Sequence, residues 1–145
     1  CHLNLTNAEL TDVFFAHSAK SQIARFIETR RAVNATETAH FLRNCSSLPS
    51  EIRHKNYVDT ESNLKSDVFD QIASSIGVDT TAYKHLYPYI DETIVQQRNR
   101  IAHGESVTLD INDFRAISDR VSDLIAMYKT DVENIVSSRS YKRMP

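Results

Sequence analysis

The stretch Gln96-Gln97-Arg98-Asn99-Arg100-Ile101-Ala102-His103-Gly104-Glu105 decides how this chain is read. Upstream of it, Ile90, Ile94, Gln97 and Ile101 recur at i, i+4, i+7 and i+11, the period of a helix with one buried stripe. Pro88 suits the first helical position, where its missing N–H costs nothing. Asp91 and Glu92 then fall in the first turn, where acidic groups favour the dipole. Gly104 reads as the left-handed residue just past the helix end, which puts His103 in the last turn. Asn99 and His103 are four apart and share a face, and the long Arg98 side chain reaches the same side. An arginine is a fixed cation able to clamp a phosphate. A histidine moves a proton near neutral pH. Together they suit RNA cleavage without a metal.

Composition extends the helical reading to the whole chain. Two glycines and three prolines in 145 residues leave little to break helices or build hairpins, so the fold class is all-α. The length suits one domain. The formal net charge of −2 excludes a globally basic nucleic-acid binder, so any RNA contact rests on a local patch. Cys1 and Cys45 form neither a disulfide framework nor a zinc spacing, which fits a reducing, cytoplasmic setting. His2, His17, His40, His54 and His85 show no metal-ligand spacing, so no metal or other cofactor is expected. No apolar run suits a membrane span or a signal peptide. The sequons at Asn4, Asn34 and Asn44 carry little weight, because such tripeptides arise by chance.

Along the chain, Thr6 and Glu9 fit a capping box opening a first helix, with Leu10, Val13, Phe14, Ile23, Phe26 and Ile27 on its buried face. Ser18-Ala19-Lys20-Ser21 is thin in large apolar residues and suggests a kink. A second helix is expected over 36–43 and a long loop over 44–60. Ser66 caps a helix that stops at Gly77. A short helix over 81–87 precedes the motif helix. In the last helix Phe114, Ile117, Val121, Leu124, Tyr128, Val132 and Ile135 step 3,4,3,4,4,3, a seam for a partner helix. The short link after Glu105 makes this helix the antiparallel neighbour of the motif helix. Tyr83, Tyr87 and Tyr89 favour core packing over base stacking. The end of the chain, 137–145, with Arg139, Lys142 and Arg143, reads as a basic, disordered tail.

Arg98-Asn99-x-x-Ala102-His103 resembles the Arg-x4–6-His signature of the HEPN superfamily. The likeness extends through Asp59-Thr60-Glu61-Ser62-Asn63-Leu64-Lys65, Val68, Phe69, Ile72, Ile76, Gly77-Val78-Asp79, Ile90-Asp91-Glu92 and Lys129-Thr130-Asp131-Val132-Glu133-Asn134. That ordered series is similar to the MAE-type HEPN-like nucleases, relatives of the RiboL-PSP-HEPN group, most strongly over 59–136 and more weakly back to about Asn7. The resemblance implies an antiparallel bundle of four to six helices forming a single domain over 1–136. It implies a metal-independent endoribonuclease acting on RNA and not DNA, a toxin of a toxin–antitoxin or phage-defence system. Arg98, Asn99 and His103 would be its catalytic residues, with Arg100 and Glu105 as substrate contacts. A homodimer with two motif helices facing across a composite cleft, and an antitoxin partner, are implied as well. Some HEPN toxins carry a Tyr three residues after the His; here Ser106 stands there, so that tyrosine's role does not transfer. Relatives carry helices upstream of the matched part, and the chain opens on Cys, so a fragment is expected. The rival reading is a non-catalytic HEPN module for dimerisation or RNA or nucleotide binding. What separates the two is whether Arg98 and His103 stay open or are consumed by internal hydrogen bonds.

Overall fold

The computed structural model describes residues 5–27, 34–50 and 64–144, with side chains left out at 21, 24–27, 34 and 35. Among these residues every regular element is helical, joined by two isolated β-bridges. The α-helices are α1 (Asp12–Ile27), α2 (Asn34–Asn44), α3 (Ser66–Ser75), α4 (Gln96–Ala102) and α5 (Ile111–Ser137). The all-α expectation holds. The chain divides into two compact units, Cys1–Tyr57 with Ser138–Pro145, and Val58–Ser137, where a single domain followed by a tail was expected. The sequence segments Asp59–Asn63 and most of the expected long loop lie outside the described residues, as do Cys1, His2, Asn4 and His54.

The first unit corrects the reading of both chain ends. Glu9 accepts hydrogen bonds from Thr6 N and Thr6 Oγ1 at 2.8 and 2.9 Å, yet the turn it closes is a 3-10 turn, Asn7–Glu9. Leu10 then returns to extended backbone, and α1 begins at Asp12. The reason for the interruption is a backbone partner. Leu10 bridges Lys142, Thr11 N donates to Tyr141 O at 3.0 Å, and Arg143 N donates to Glu9 O at 2.9 Å. Residues 141–143 thus pair through their backbone with residues 9–11, although their composition reads as a solvated tail. Tyr141 also meets the Phe14 ring edge-on at 6.1 Å. The small residues read as a kink are part of an unbroken helix. Ser18 is fully buried there and accepts from Gln22 Nε2 at 3.3 Å.

The second unit is built around Phe69. Its ring lies 5.2 Å from Tyr83, 6.5 Å from Tyr87 and 5.7 Å from Tyr128, in the tilted and edge-on arrangements that aromatic quadrupoles favour. Ala73 and Val78 complete the buried cluster, and Leu124, Met127, Tyr128, Val132 and Ile135 of α5 pack against it. Two tyrosine hydroxyls tie this core to its walls: Tyr83 donates to Asp131 on α5, and Tyr87 donates to Asp70 on α3. Gly77 closes α3 with φ 80°; Gly77 N reaches Ser74 O and Val78 N reaches Ala73 O, both at 3.0 Å. This paired closure drops Val78 straight into the core beside Ala73. Ser66 is the first residue of α3 and not its cap. The capping acceptor comes from 25 residues away, because Asp91 accepts from Ser66 N at 2.8 Å and from Ser66 Oγ at 2.6 Å.

The motif helix starts with a π-helical segment, Tyr89–Val95, in which Gln96 N donates to Asp91 O. Bonding at i→i+5 widens the turn and brings Ile90 and Val95 onto one line. Both are buried, while Ile94 is only half-buried and Ile101 is 58 % exposed. The regular i, i+4, i+7, i+11 stripe is thus replaced by a five-residue step. Tyr89 stacks under the Arg120 guanidinium of α5 at 4.9 Å. Tyr89, Thr93 and Gln97 face Asp113, Ala116, Ile117 and Arg120 across an open groove of about 620 Å³. The motif helix and α5 are the antiparallel neighbours that the short link requires.

Burial and the Asp131 contact raise the Tyr83 pKa well above its ordinary 10.0. Folding then keeps Tyr83 neutral where the unfolded chain would ionise it. The stability it supplies is intact below about pH 10 and is lost as pH rises above that value. In alkaline titration the Tyr83 phenolate should appear only with unfolding, read by absorbance against circular dichroism. Tyr83→Phe should cost about 1–3 kcal/mol at neutral pH by stranding Asp131, and should flatten part of the alkaline fall.

Removing the Asp91 carboxylate should loosen α3 from the motif helix. We expect Asp91→Ala to cost about 2 kcal/mol, the scale of hydrogen bonds to a charged acceptor. Asp91→Asn should cost less. Equal denaturation midpoints for wild type and Asp91→Ala would contradict this anchoring role.

Candidate active site

The site is the C-terminal end of α4, and its shape follows from Gly104. With φ at 74°, Gly104 occupies the left-handed region that other residues enter at a cost. Gly104 N donates to Ile101 O at 3.0 Å and Glu105 N donates to Arg100 O at 2.9 Å, the paired closure of a Schellman motif. That closure brings the residues at its two ends together. Arg100 Nε meets Glu105 Oε2 at 3.0 Å, with both side chains about half exposed. Arg100 and Glu105, expected as substrate contacts, thus form an ion pair with each other across the helix end.

His103 is the capping residue itself, at φ −88° and ψ 6°, and its N–H donates to Asn99 O at 2.9 Å. Its side chain is exposed, and among the described residues its ring has no hydrogen-bond or ion-pair partner. Asn99, half-buried, accepts at Oδ1 from Arg98 Nη1 at 3.0 Å. Arg98 is exposed and holds at least one further interaction. The Asn99 contact occupies one edge of the guanidinium. An arginine has five N–H donors, so it can hold a neighbour and still present a fork to a phosphate. His103 lies five positions after Arg98, which sets the two roughly 140° apart around a regular helix. Across that angle, the length of the arginine side chain is what would let the two groups reach one ligand.

Three of the expected residues, Arg98, Asn99 and His103, therefore lie on one solvent-facing helix end, where the Asn99 side chain holds Arg98 and its backbone carbonyl accepts from His103 N. The structure adds two features that local reading missed. Asp91 fixes the helix from behind through α3. The π-helical turn sets which face carries Arg98 and His103, and the spacing of Ile90 and Val95 was its one trace in the sequence. Among the described residues no group of three His, Cys, Asp or Glu side chains is placed to hold a metal. Nor is any helix there long and apolar enough to cross a membrane.

The RiboL-PSP-HEPN family model matches residues 1–134, nearly the whole chain and well beyond the motif. The chain belongs to the RiboL-PSP-HEPN family. No curated protein and no solved structure matches it. Family membership ties the helical fold to a nuclease or RNA-related role, and it reaches back through α1 and α2, where the sequence likeness is weakest.

The closure at Gly104 can be tested apart from any activity. A Cβ built there meets nothing within 4 Å, so the cost of Gly104→Ala is that of the backbone alone. We expect a loss of about 1 kcal/mol in thermal unfolding. Gly104→Asn should recover part of it, since Asn tolerates the left-handed region. An unchanged melt for Gly104→Ala would mean that the helix end is not held this way.

Proposed function

We propose that this protein is a metal-independent endoribonuclease. The observation that carries the reading is the exposed His103 ring, with no partner among the described residues, on the same helix end as the Arg98 fork. A histidine serving only to close a helix would be spent on the last carbonyls, which Gly104 N and Glu105 N already satisfy. That favours the enzyme over the non-catalytic module.

In the reaction, a ribose 2′-oxygen attacks the adjacent phosphorus while His103 takes the hydroxyl proton. The bond from phosphorus to the 5′-oxygen breaks, and that oxygen takes a proton from water or from a second copy of the same ring. The products are a 2′,3′-cyclic phosphate and a free 5′-hydroxyl. Arg98 stabilises the charge that builds on the equatorial oxygens in the transition state. Asn99 holds the guanidinium in place. Arg100 and Glu105, already paired, contribute to the shape of the helix end more than to substrate contact. Family resemblance alone supports the wider role of a toxin acting on cellular RNA and held by a protein antitoxin.

Purified protein incubated with RNA in EDTA should cleave it, leaving 2′,3′-cyclic or 3′-phosphate ends. DNA, which lacks the attacking hydroxyl, should be untouched. Arg98→Ala and His103→Ala should each lower the rate by ~10² or more, the scale of losing a proton-transfer group or a transition-state donor. Asn99→Ala should lower it less. Loss of cleavage in EDTA, or 3′-hydroxyl products, would sink the mechanism; full activity in His103→Ala would remove His103 from it.

A further inference from the structure

The α5 helix carries two apolar faces, and among the described residues only one is packed into a core. Leu124, Met127, Tyr128, Val132 and Ile135 pack on the Phe69 core. About a quarter-turn away, Ile111, Phe114, Ile125 and Val136 are exposed at 60, 59, 62 and 61 %. At 100° per residue these four share a stripe that runs the length of the helix, passing Ser118 and the half-buried Val121. One edge of the stripe is the core side. The other edge is polar and reads Arg115, Asp119, Lys129 and Glu133, all exposed.

That charge order says what covers the stripe. Reversed about Leu124, position 115 falls on 133 and position 119 on 129, and each cation lands on an anion. In an antiparallel two-fold pair the polar edge of one helix faces the same edge of its mate. A second α5, running the opposite way with its centre at Leu124, therefore sets Arg115 against a glutamate and Asp119 against a lysine, twice each. The same antiparallel register drops Phe114 between the mate's positions 132 and 136, both valine, and brings the two Ile125 side chains near the axis. The pair of Lys129 with Glu133 along the helix, at 3.6 Å and mostly exposed, is too weak to compete.

We infer that this stripe is a self-association surface, on which two copies of the chain pair through antiparallel α5 helices centred on Leu124. The inference stands apart from the ribonuclease reading. The pairing holds the two Ile111 ends, and with them the two Gly104 helix ends, far from the axis. It is thus a different contact from the composite cleft implied by family resemblance.

Spin labels on the full chain test it, with Cys1 and Cys45 replaced by serine and a single Asp123→Cys or Asn112→Cys label site. Both chosen positions are exposed and off the apolar stripe. Labels at 123, on the outer faces of the pair, should lie within about 30 Å of each other, and labels at 112 roughly 40 Å apart, of which the helix rise supplies most. Sedimentation of Phe114→Glu should show self-association weakened by about 100-fold, the loss of a buried aromatic anchor replaced by a charge. Arg115→Glu should weaken association by about tenfold, and the double variant Arg115→Glu with Glu133→Arg should regain most of it. Circular dichroism establishes that each variant is folded. A wild-type chain that stays monomeric at high micromolar concentration overturns the inference. So does a short distance at 112 without one at 123, or a double variant no better than the single. None of these outcomes bears on cleavage of RNA, which is assayed separately.

Discussion

The contact on which the site depends is the one between Asp91 and the first residue of α3. A helix N-terminus has N–H groups with no partner in their own helix, and a carboxylate placed there satisfies them and meets the favourable end of the dipole. Here the carboxylate belongs to the motif helix. One side chain therefore closes α3 and fixes the helix that carries Arg98 and His103. Behind it, Phe69 gathers three tyrosine rings, and the hydroxyls of Tyr83 and Tyr87 are bound to Asp131 and Asp70. Polar groups inside an aromatic core are costly unless paired, and pairing them restricts the arrangements the core can adopt. The Thr80 and Tyr87 hydroxyls hold the Asp70 carboxyl below its usual range, so this link is kept at neutral pH and weakens in acid.

What was legible in the sequence is what rests on short-range chemistry. Gly77 and Gly104 mark helix ends because each needs a positive φ, and both have one. The start of α5 is set by equally local chemistry, since the Asp110 carboxylate accepts from Asn112 N and Asp113 N at 2.6 and 2.8 Å. The motif helix and its antiparallel neighbour follow from periodicity and a short link. The misreadings have a common origin in partners that lie far away in the chain. Asp91 looks like a dipole residue of its own helix until α3 is placed beside it. The Thr6–Glu9 box looks like the start of α1 until residues 141–143 claim the backbone at Glu9, Leu10 and Thr11. Composition marked those last residues as solvated, but composition says nothing about backbone pairing. In α5 a single apolar seam was read where there are two faces, because a 3,4 step fits residues on either side of the same edge.

At the site itself, residue identity was legible and orientation was not. Arg98, Asn99 and His103 supply a fixed cation, an amide and an imidazole, and Gly104 stops the helix. Which of them faces solvent depends on how far the helix has turned between its anchor and its end. Local pairing also divides the charged residues in a way that spacing could not. Arg100 and Glu105 neutralise each other, while the Arg98 fork and the His103 ring lie outside that pair.

The π-helical segment gives that turning a definite phase. Seven residues wound at i→i+5 cover less angle than seven wound at i→i+4, so the helix leaves Val95 lagging behind an ordinary α-helix. The segment works like an offset key between Asp91 and Arg98. A relative with one residue fewer there, wound as plain α-helix, would present its arginine and histidine on much the same side. One of equal length without the wide turn would present them elsewhere. Equivalent helix faces in two such chains are thus matched by angle from the anchoring carboxylate, and the number of intervening residues is free to differ.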